Sequence, residues 1–416
     1  MIAVFEKIIF FTVVILLCAA SGASGLDLAA TGRLGATVTD NIYRSPKGSE
    51  EGGSILTQGF GVEISKVGEE RSFILSLEGG WETLETKRES SSEDVYRLDL
   101  SFTFPLSRKS WMEGTASASR ETTTPEADAP HQGRIMEKVS EAGFLVGNHV
   151  SEITSWEAEF GVRRENQEDL DLEETTGSIR WSRDLSRVRT FSVEGSVRDG
   201  SDEFEETSWR GNSAALSLTE RLSSSFTRGF SLDWENWTLE EEDGNRTSSW
   251  RAGVAARYES RRPTGWSHEG SLGISRLTLI SGDKTWESAG SFSMEKNLSR
   301  TTVADAGIEI RNLMQDPRES EVERTRQGHA TAGLGWAISR KFSLEPRVSY
   351  LFEDIIGTEV PDREDQTFIG RVNARWTPYP TWLMEFAFVM ENRESTEPSE
   401  ELVENRIELR ASSVFR

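Results

Sequence analysis

Carboxylates two residues apart on an extended chain, such as Glu157 and Glu159, sit about 7 Å apart on one strand face, a spacing that invites glycosidase chemistry. The same acidic i, i+2 spacing recurs along much of the sequence, so a solvated wall is the simpler reading. The four histidines, His131, His149, His268 and His329, are scattered and show no metal-ligand spacing. The nearest approach to a nucleophile elbow, Gly265-Trp266-Ser267-His268-Glu269-Gly270, is one residue too long and reads as a turn entering a strand. The acidic stretches 199–206 and 240–244 carry enough carboxylates to hold calcium or to bridge divalent ions to lipopolysaccharide. Neither follows an EF-hand loop, and a hydrated, mutually repelling surface is the expectation. No catalytic residue, metal site or cofactor is therefore expected, and the chain is read as a non-enzyme.

The remaining chemistry lies in charged side chains that alternate with apolar ones. Tyr96, Leu98, Leu100, Phe102 and Phe104 interleave with Arg97, Asp99, Ser101 and Thr103, giving one strand an apolar and a polar face. Trp156, Ala158, Phe160 and Val162 alternate in the same way with Ser155, Glu157, Glu159 and Gly161, as do Phe230, Leu232 and Trp234 with Ser231, Asp233 and Glu235. About 20 such segments of roughly ten residues follow one another, the length a tilted strand needs to cross a bilayer. The fold expected is an all-β, antiparallel, up-and-down transmembrane barrel of the outer-membrane type, with about 20 strands (a range of about 16–20), short periplasmic turns and long acidic extracellular loops. Its pore-lining candidates are Arg97, Asp99, Glu157, Glu159, Asp233, Glu235, Arg251, Arg257, Glu309, Arg311, Arg371 and Arg375. Arg or Lys facing lipid at mid-bilayer costs about 2–4 kcal/mol, so these residues must line an interior. About 20 strands leave room for water inside. Opposed charges pairing across the barrel would close it instead, and that alternative stays open.

Connections alternate in length. Short links at 67–70, 105–109, 262–265 and 378–380 alternate with polar, acidic stretches at 85–94, 121–137, 164–175, 198–207, 240–246, 314–327 and 393–401. Tryptophans cluster near both kinds of link, as expected for two membrane-interface belts. Trp111, Trp156, Trp181, Trp266, Trp336, Trp376 and Trp382 lie near short turns, and Trp81, Trp209, Trp234, Trp237, Trp250 and Trp286 near long loops. The run Trp234-Glu235-Asn236-Trp237 hints at a β-bulge, and 178–181 and 285–294 are weak strand segments. The last strand puts Asn405, Ile407, Leu409, Ala411, Ser413 and Phe415 on one face, where penultimate Phe415 would serve as a signal to the barrel assembly machinery. Closure of this strand against a first strand at 34–43 removes both free edges.

Composition fits this frame. The chain of 416 residues has 70 acidic and 47 basic side chains, a formal charge of −23 that argues against a nucleic-acid partner. Its 20 Phe and 13 Trp argue against disorder. Lys7, the apolar run 8–20 and small residues through Gly25 read as a cleavable signal peptide over 1–25, cut after Gly22 or Gly25, leaving one barrel domain over 26–416. The single cysteine, Cys18, leaves with the signal, so no disulfide is expected. The expected location is the bacterial outer membrane, among its lipid and lipopolysaccharide.

The segment Ala36-Thr37-Val38-Thr39-Asp40-Asn41-Ile42-Tyr43-Arg44, followed by a polar loop and Ser54-Ile55-Leu56, resembles the opening of the β-barrel porin 2 family. Those outer-membrane barrels are associated with exopolysaccharide and PEP-CTERM systems. Asp40 and Asn41 match its Thr-Asp-Asn strand, whereas the Pro-Gly of its second strand is replaced by Gln58-Gly59-Phe60-Gly61. The resemblance implies an outer-membrane channel through which a polysaccharide is secreted, with polysaccharide export components as partners. A small-solute diffusion porin and a closed structural barrel anchoring surface loops or a periplasmic partner are the other readings.

Overall fold

The computed structural model describes residues 27–415 apart from 43–44, 46, 49, 68–70, 87–89, 124–134, 168–169, 203–206, 241–245, 263–264, 279–283, 315–323, 357–361 and 399–400. The expected signal peptide, His131, and parts of the acidic connections lie outside the described residues. The strands are β1 (Asp27–Thr39), β2 (Gly53–Val67), β3 (Ser72–Thr86), β4 (Ser90–Pro105), β5 (Ser110–Thr123), β6 (Ile135–Ser151) and β7 (Thr154–Gln167). They continue as β8 (Leu170–Ser186), β9 (Arg189–Asp202), β10 (Thr207–Ser223), β11 (Phe226–Glu240), β12 (Arg246–Arg261), β13 (Trp266–Thr278) and β14 (Lys284–Asn297). The last are β15 (Thr302–Met314), β16 (Arg324–Ser339), β17 (Phe342–Ile356), β18 (Arg363–Trp376), β19 (Trp382–Ser395) and β20 (Leu402–Phe415).

All belong to one 20-stranded antiparallel sheet in which each strand pairs with its sequence neighbours. The sheet closes where β1 meets β20 along a ladder from Ala30↔Phe415 to Thr39↔Arg406. Closure leaves no free edge. With strands about 4.8 Å apart and tilted about 40°, this number closes on a backbone cylinder about 40 Å across.

Three sequence expectations change. The first strand spans Asp27–Thr39, earlier than 34–43: its pairing with β2 ends at Thr39↔Gly53, and beyond it Asp40 keeps one backbone bond to Asn405 (3.2 Å) while the Asp40 and Asn41 side chains bond β20 and the connection. The stretches 85–94, 164–175 and 198–207 are largely strand: the ladders run on to Glu85↔Ser90, Gln167↔Leu170 and Thr207↔Asp202. Both faces are polar at these strand ends, so the two-residue period fades there although the backbone pairing continues. The supposed bulge at 234–237 is absent; Trp234↔Ala214, Glu235↔Ser213, Asn236↔Asn212 and Trp237↔Gly211 follow in unbroken register. Register shifts occur instead at tight hairpins, between His149/Ser151, Asp184/Ser186, Arg221/Ser223 and Ala337/Ser339.

Candidate functional site

Register that is constant through the strand middles, with shifts only at the hairpins, propagates one face around the barrel, because directly opposed residues share a side of the sheet. One face carries Leu34, Phe60, Leu77, Phe160, Ile179, Phe230, Leu272 and Ile308, among the exposed large apolar residues. The opposite face carries charges and hydroxyls. The apolar face meets lipid at little cost, which makes the polar face the inner wall. Arg97, Asp99, Glu157, Glu159, Asp233, Glu235, Arg251, Arg257, Glu309, Arg311, Arg371 and Arg375 all fall on this polar side.

Ion pairs on the wall run sideways. Arg97 bonds Asp99 (2.8 Å), Arg163 bonds Glu165 (2.7 Å), Arg180 bonds Glu194 (2.8 Å) and Arg375 bonds Glu385 (2.8 Å), all on the same or the adjoining strand. The longest reaches skip a single strand: Arg33 to Glu78, Arg251 to Glu287 (2.7 Å) and Arg347 to Asp305 (3.1 Å). Each crosses a small residue on the strand between. Gly61 stands between the first pair and Gly333 between the third, and a Cβ on Gly333 would lie 2.6 Å from Asp305 Oδ1. Ser275 stands between the second, and its Oγ donates to Glu287 (3.0 Å). No ion pair among the described residues spans the lumen. Serine pairs Ser192–Ser217 (2.6 Å), Ser196–Ser213 (2.7 Å) and Ser271–Ser291 (2.7 Å) give the β9–β14 sector a hydroxyl surface.

A recess interrupts the wall between β15 and β18. The β16–β17 ladder has no partners between Gly333↔Arg347 and Trp336↔Leu344, a gap opposite Pro346, which has no N–H to donate. A cavity of about 420 Å³ opens there, lined by Asp305, Gly335, Glu345, Arg347, Arg371 and Asn373. A second, of about 190 Å³, shares Glu345, Arg371 and Asn373 and adds Arg375, Glu385 and Arg410. Arg371 lies directly opposite Arg347, a like-charge pairing that a sheet does not choose for stability. Its Nε donates to Asn373 Oδ1 (2.9 Å), and it forms no ion pair among the described residues. An open guanidinium, a carboxamide and the carboxylate of Glu345 thus face water together. Guanidinium suits carboxylate or phosphate, while Asn and Glu suit hydroxyls.

The motif residues Asp40 and Asn41 are structural. Asp40 accepts from the backbone N and the Nδ2 of Asn405, both at 2.7 Å. Asn41 is fully buried; its Nδ2 donates to the carbonyls of Ser45 (2.8 Å) and Val403 (3.2 Å), and its Oδ1 accepts from Ser45 N (2.8 Å). Thr39 Oγ1 donates to Glu404 (3.0 Å). Together they pin the 40–52 connection to β20 and clamp the seam. In this connection, outside the barrel wall, backbone amides of Gly48 and Glu50 hold the Glu50 carboxyl below its ordinary value.

Trp181, Trp250, Trp266, Trp286, Trp336, Trp376 and Trp382 lie on the apolar face, as do Trp81, Trp156 and Trp234. Trp111 and Trp209, expected as interface aromatics, lie on the polar face, as does Trp237. Each rests on a glycine of the paired strand, Gly147, Gly200 and Gly211 respectively, where a Cβ would fall inside the indole. The missing side chain lets the ring lie flat along the wall. Trp111 also packs against His149 in a tilted arrangement, with ring centroids 4.8 Å apart and planes 36° from parallel. Phe415 shares the apolar face of β20 with Leu409.

Ser267 and His268 point to opposite faces of β13, and His329 sits opposite Glu309 on the inner wall, far along the sheet from His149. Among the described residues no group of His, Cys, Asp and Glu is placed to hold a metal ion.

No family model and no curated protein matches this chain. Solved structures do. The siderophore receptor PirA from Pseudomonas aeruginosa superposes with a TM-score of 0.53 at 11% identity, over 94% of this chain and 80% of its own. The FrpB iron transporter from Neisseria meningitidis (F5-1 variant) gives 0.61 at 9% identity, over 94% and 83%. The ferric citrate transporter FecA gives 0.58 at 8% identity, over 94% and 79%. At these identities the likeness is one of fold: this chain has the architecture of outer-membrane barrels that serve as transporters and receptors.

Proposed function

We propose that the protein is an outer-membrane channel with an open, hydrated lumen, working with an envelope polysaccharide export system. The observation that carries this reading is the sideways pairing of the wall charges. Charges that pair with neighbours along a wall about 40 Å across leave the middle to water, whereas a closing network would reach across it. The apolar outer face supports the membrane location, and the fold shared with transporters supports a transport role over an enzymatic one. The Thr39-Asp40-Asn41 opening supports the link to polysaccharide secretion through its family resemblance. The β9–β14 hydroxyls and the Glu345, Arg371 and Asn373 recess offer hydrogen bonds and one free cation, a surface suited to a hydrated, carboxylated sugar chain.

The test is single-channel conductance of the refolded protein in a planar bilayer, paired with secreted polysaccharide in a deletion strain. A stable ohmic current and a loss of secreted polymer are expected. Current with unchanged secretion and reduced small-solute uptake would make the protein a diffusion porin. A folded, heat-modifiable barrel carrying no current would overturn the channel and leave a structural anchor.

A further inference from the structure

The links at one end of the barrel repeat a tripeptide that the channel reading does not use. Leu106-Ser107-Arg108 joins β4 to β5, Leu185-Ser186-Arg187 β8 to β9, Leu298-Ser299-Arg300 β14 to β15, and Ile338-Ser339-Arg340 β16 to β17. The serine shapes each turn in the same way. Its Oγ accepts from the N–H two residues on: Lys109 (3.2 Å), Val188 (3.3 Å), Thr301 (3.1 Å) and Lys341 (3.2 Å). The same turn at Ser151 and Ser223 keeps the aliphatic residue, Val150 and Leu222, but carries Glu152 and Ser224 in place of the arginine, so the full tripeptide marks four of the six serine turns described at this end. The aliphatic residue continues the apolar outer face and is 57%, 59%, 58% and 47% exposed at Leu106, Leu185, Leu298 and Ile338. Arg108, Arg187, Arg300 and Arg340 are exposed at the tips, and none forms an ion pair among the described residues. That is unusual in a chain of formal charge −23, whose other arginines mostly find carboxylates.

An aliphatic anchor beside a free guanidinium, repeated around one rim just beyond the outward-facing Trp181 and Trp336, matches the boundary of a phospholipid leaflet. The aliphatic group meets the upper acyl chain, and the guanidinium meets the phosphate with two parallel N–H donors. We infer that this rim is a phospholipid-anchoring collar, in which the Leu/Ile-Ser-Arg hairpins hold anionic phospholipid headgroups of the leaflet at the short-link end. The inference rests on the membrane location proposed above. It also sets the barrel's sense in the membrane, since the connections at the other end are rich in Asp and Glu in sequence and would repel the same lipids.

The test is native mass spectrometry of the refolded full chain released from mixed micelles holding equal phosphatidylglycerol and phosphatidylcholine. The wild-type barrel is expected to retain phosphatidylglycerol preferentially, and the variant R108Q/R187Q/R300Q/R340Q to lose that preference. Each single variant should weaken retention about fivefold, the effect of one basic residue at an anionic surface. Replacement by lysine should restore part of it. Equal retention of both lipids by the wild type, or an unchanged preference in the quadruple variant, would overturn the collar. If the quadruple variant does not fold, the single variants decide. Failure of the wild type to insert into vesicles of any composition would instead strike the membrane reading itself. Retention of an acidic protein rather than lipid at this rim would also overturn the inference.

Discussion

Individual side chains divide into those that hold the wall and those that face the lumen, and Asn41 marks the first kind most sharply. Fully buried and bonded to Ser45 and Val403, it ties the 40–52 connection to the closing strand. Asn41→Ala removes the donor to the half-buried carbonyls of Ser45 and Val403 and should destabilise the barrel by about 1 kcal/mol. Urea unfolding of the refolded protein, followed by tryptophan fluorescence, measures this; a midpoint equal to wild type would mean that the clamp contributes nothing to closure. Arg371 is of the second kind. Arg371→Gln removes an open guanidinium from the recess and should weaken block of the channel current by a galacturonate oligomer about tenfold, while a neutral maltose oligomer blocks both proteins equally. Equal block by the acidic oligomer would show that the recess takes no part in holding cargo. Sequence reading reached the faces of Arg97 and Arg371 because strict alternation needs no tertiary information. It misplaced Trp111, Trp209 and Trp237 because nearness to a turn says how high a side chain sits, not which face it occupies. The matching signal was a glycine on the paired strand, readable only once the register is known.

Strands and hairpins carry a different lesson. Alternation located the membrane-crossing middles of the strands, including the weak segments within β8 and β14, but not their polar ends. Beyond the apolar band both faces meet water, so nothing in the hydropathy separates a paired strand end from a loop. The Ser turns are more nearly legible, since a Leu/Ile-Ser-Arg tripeptide precedes the next strand in four hairpins. Even so, Ile274-Ser275-Arg276 has the same composition and lies inside β13, so the tripeptide needs its place in the ladder to be read. Small residues within strands have a specific task here. Gly333 opens the path by which Arg347 on β17 reaches Asp305 on β15. Gly333→Val sets carbon where the Asp305 carboxylate now lies and should break the pair, with a loss of about 1 kcal/mol for this exposed interaction. A cycle with Asp305→Asn measures the coupling; additive effects would mean that Gly333 is not the window for this pair.

The molecule as a whole is strongly acidic, and its wall pairs most arginines while leaving carboxylates such as Glu157 and Glu159 without ion-pair partners among the described residues. Inside a narrow aqueous conduit with low-dielectric surroundings, unpaired charge of one sign enriches counter-ions and excludes co-ions. The channel should therefore prefer potassium to chloride. Screening sets how strong the preference is, because the Debye length is about 10 Å at 0.1 M salt and about 3 Å at 1 M, against a lumen whose backbone cylinder is about 40 Å across. At 0.1 M the wall field reaches well into the water column, and at 1 M it covers only a thin shell. The reversal potential in a potassium chloride gradient should thus show a cation preference of about threefold or more near 0.1 M that falls toward unity near 1 M. E157Q/E159Q should lower the preference at low salt, since the pair faces the lumen on β7. An anion-selective current would mean that the recess arginines, Arg347 and Arg371, govern the field rather than the acidic wall. A preference independent of salt would mean a constriction much narrower than the cylinder, with selectivity set by contact at that point and not by the charge of the wall.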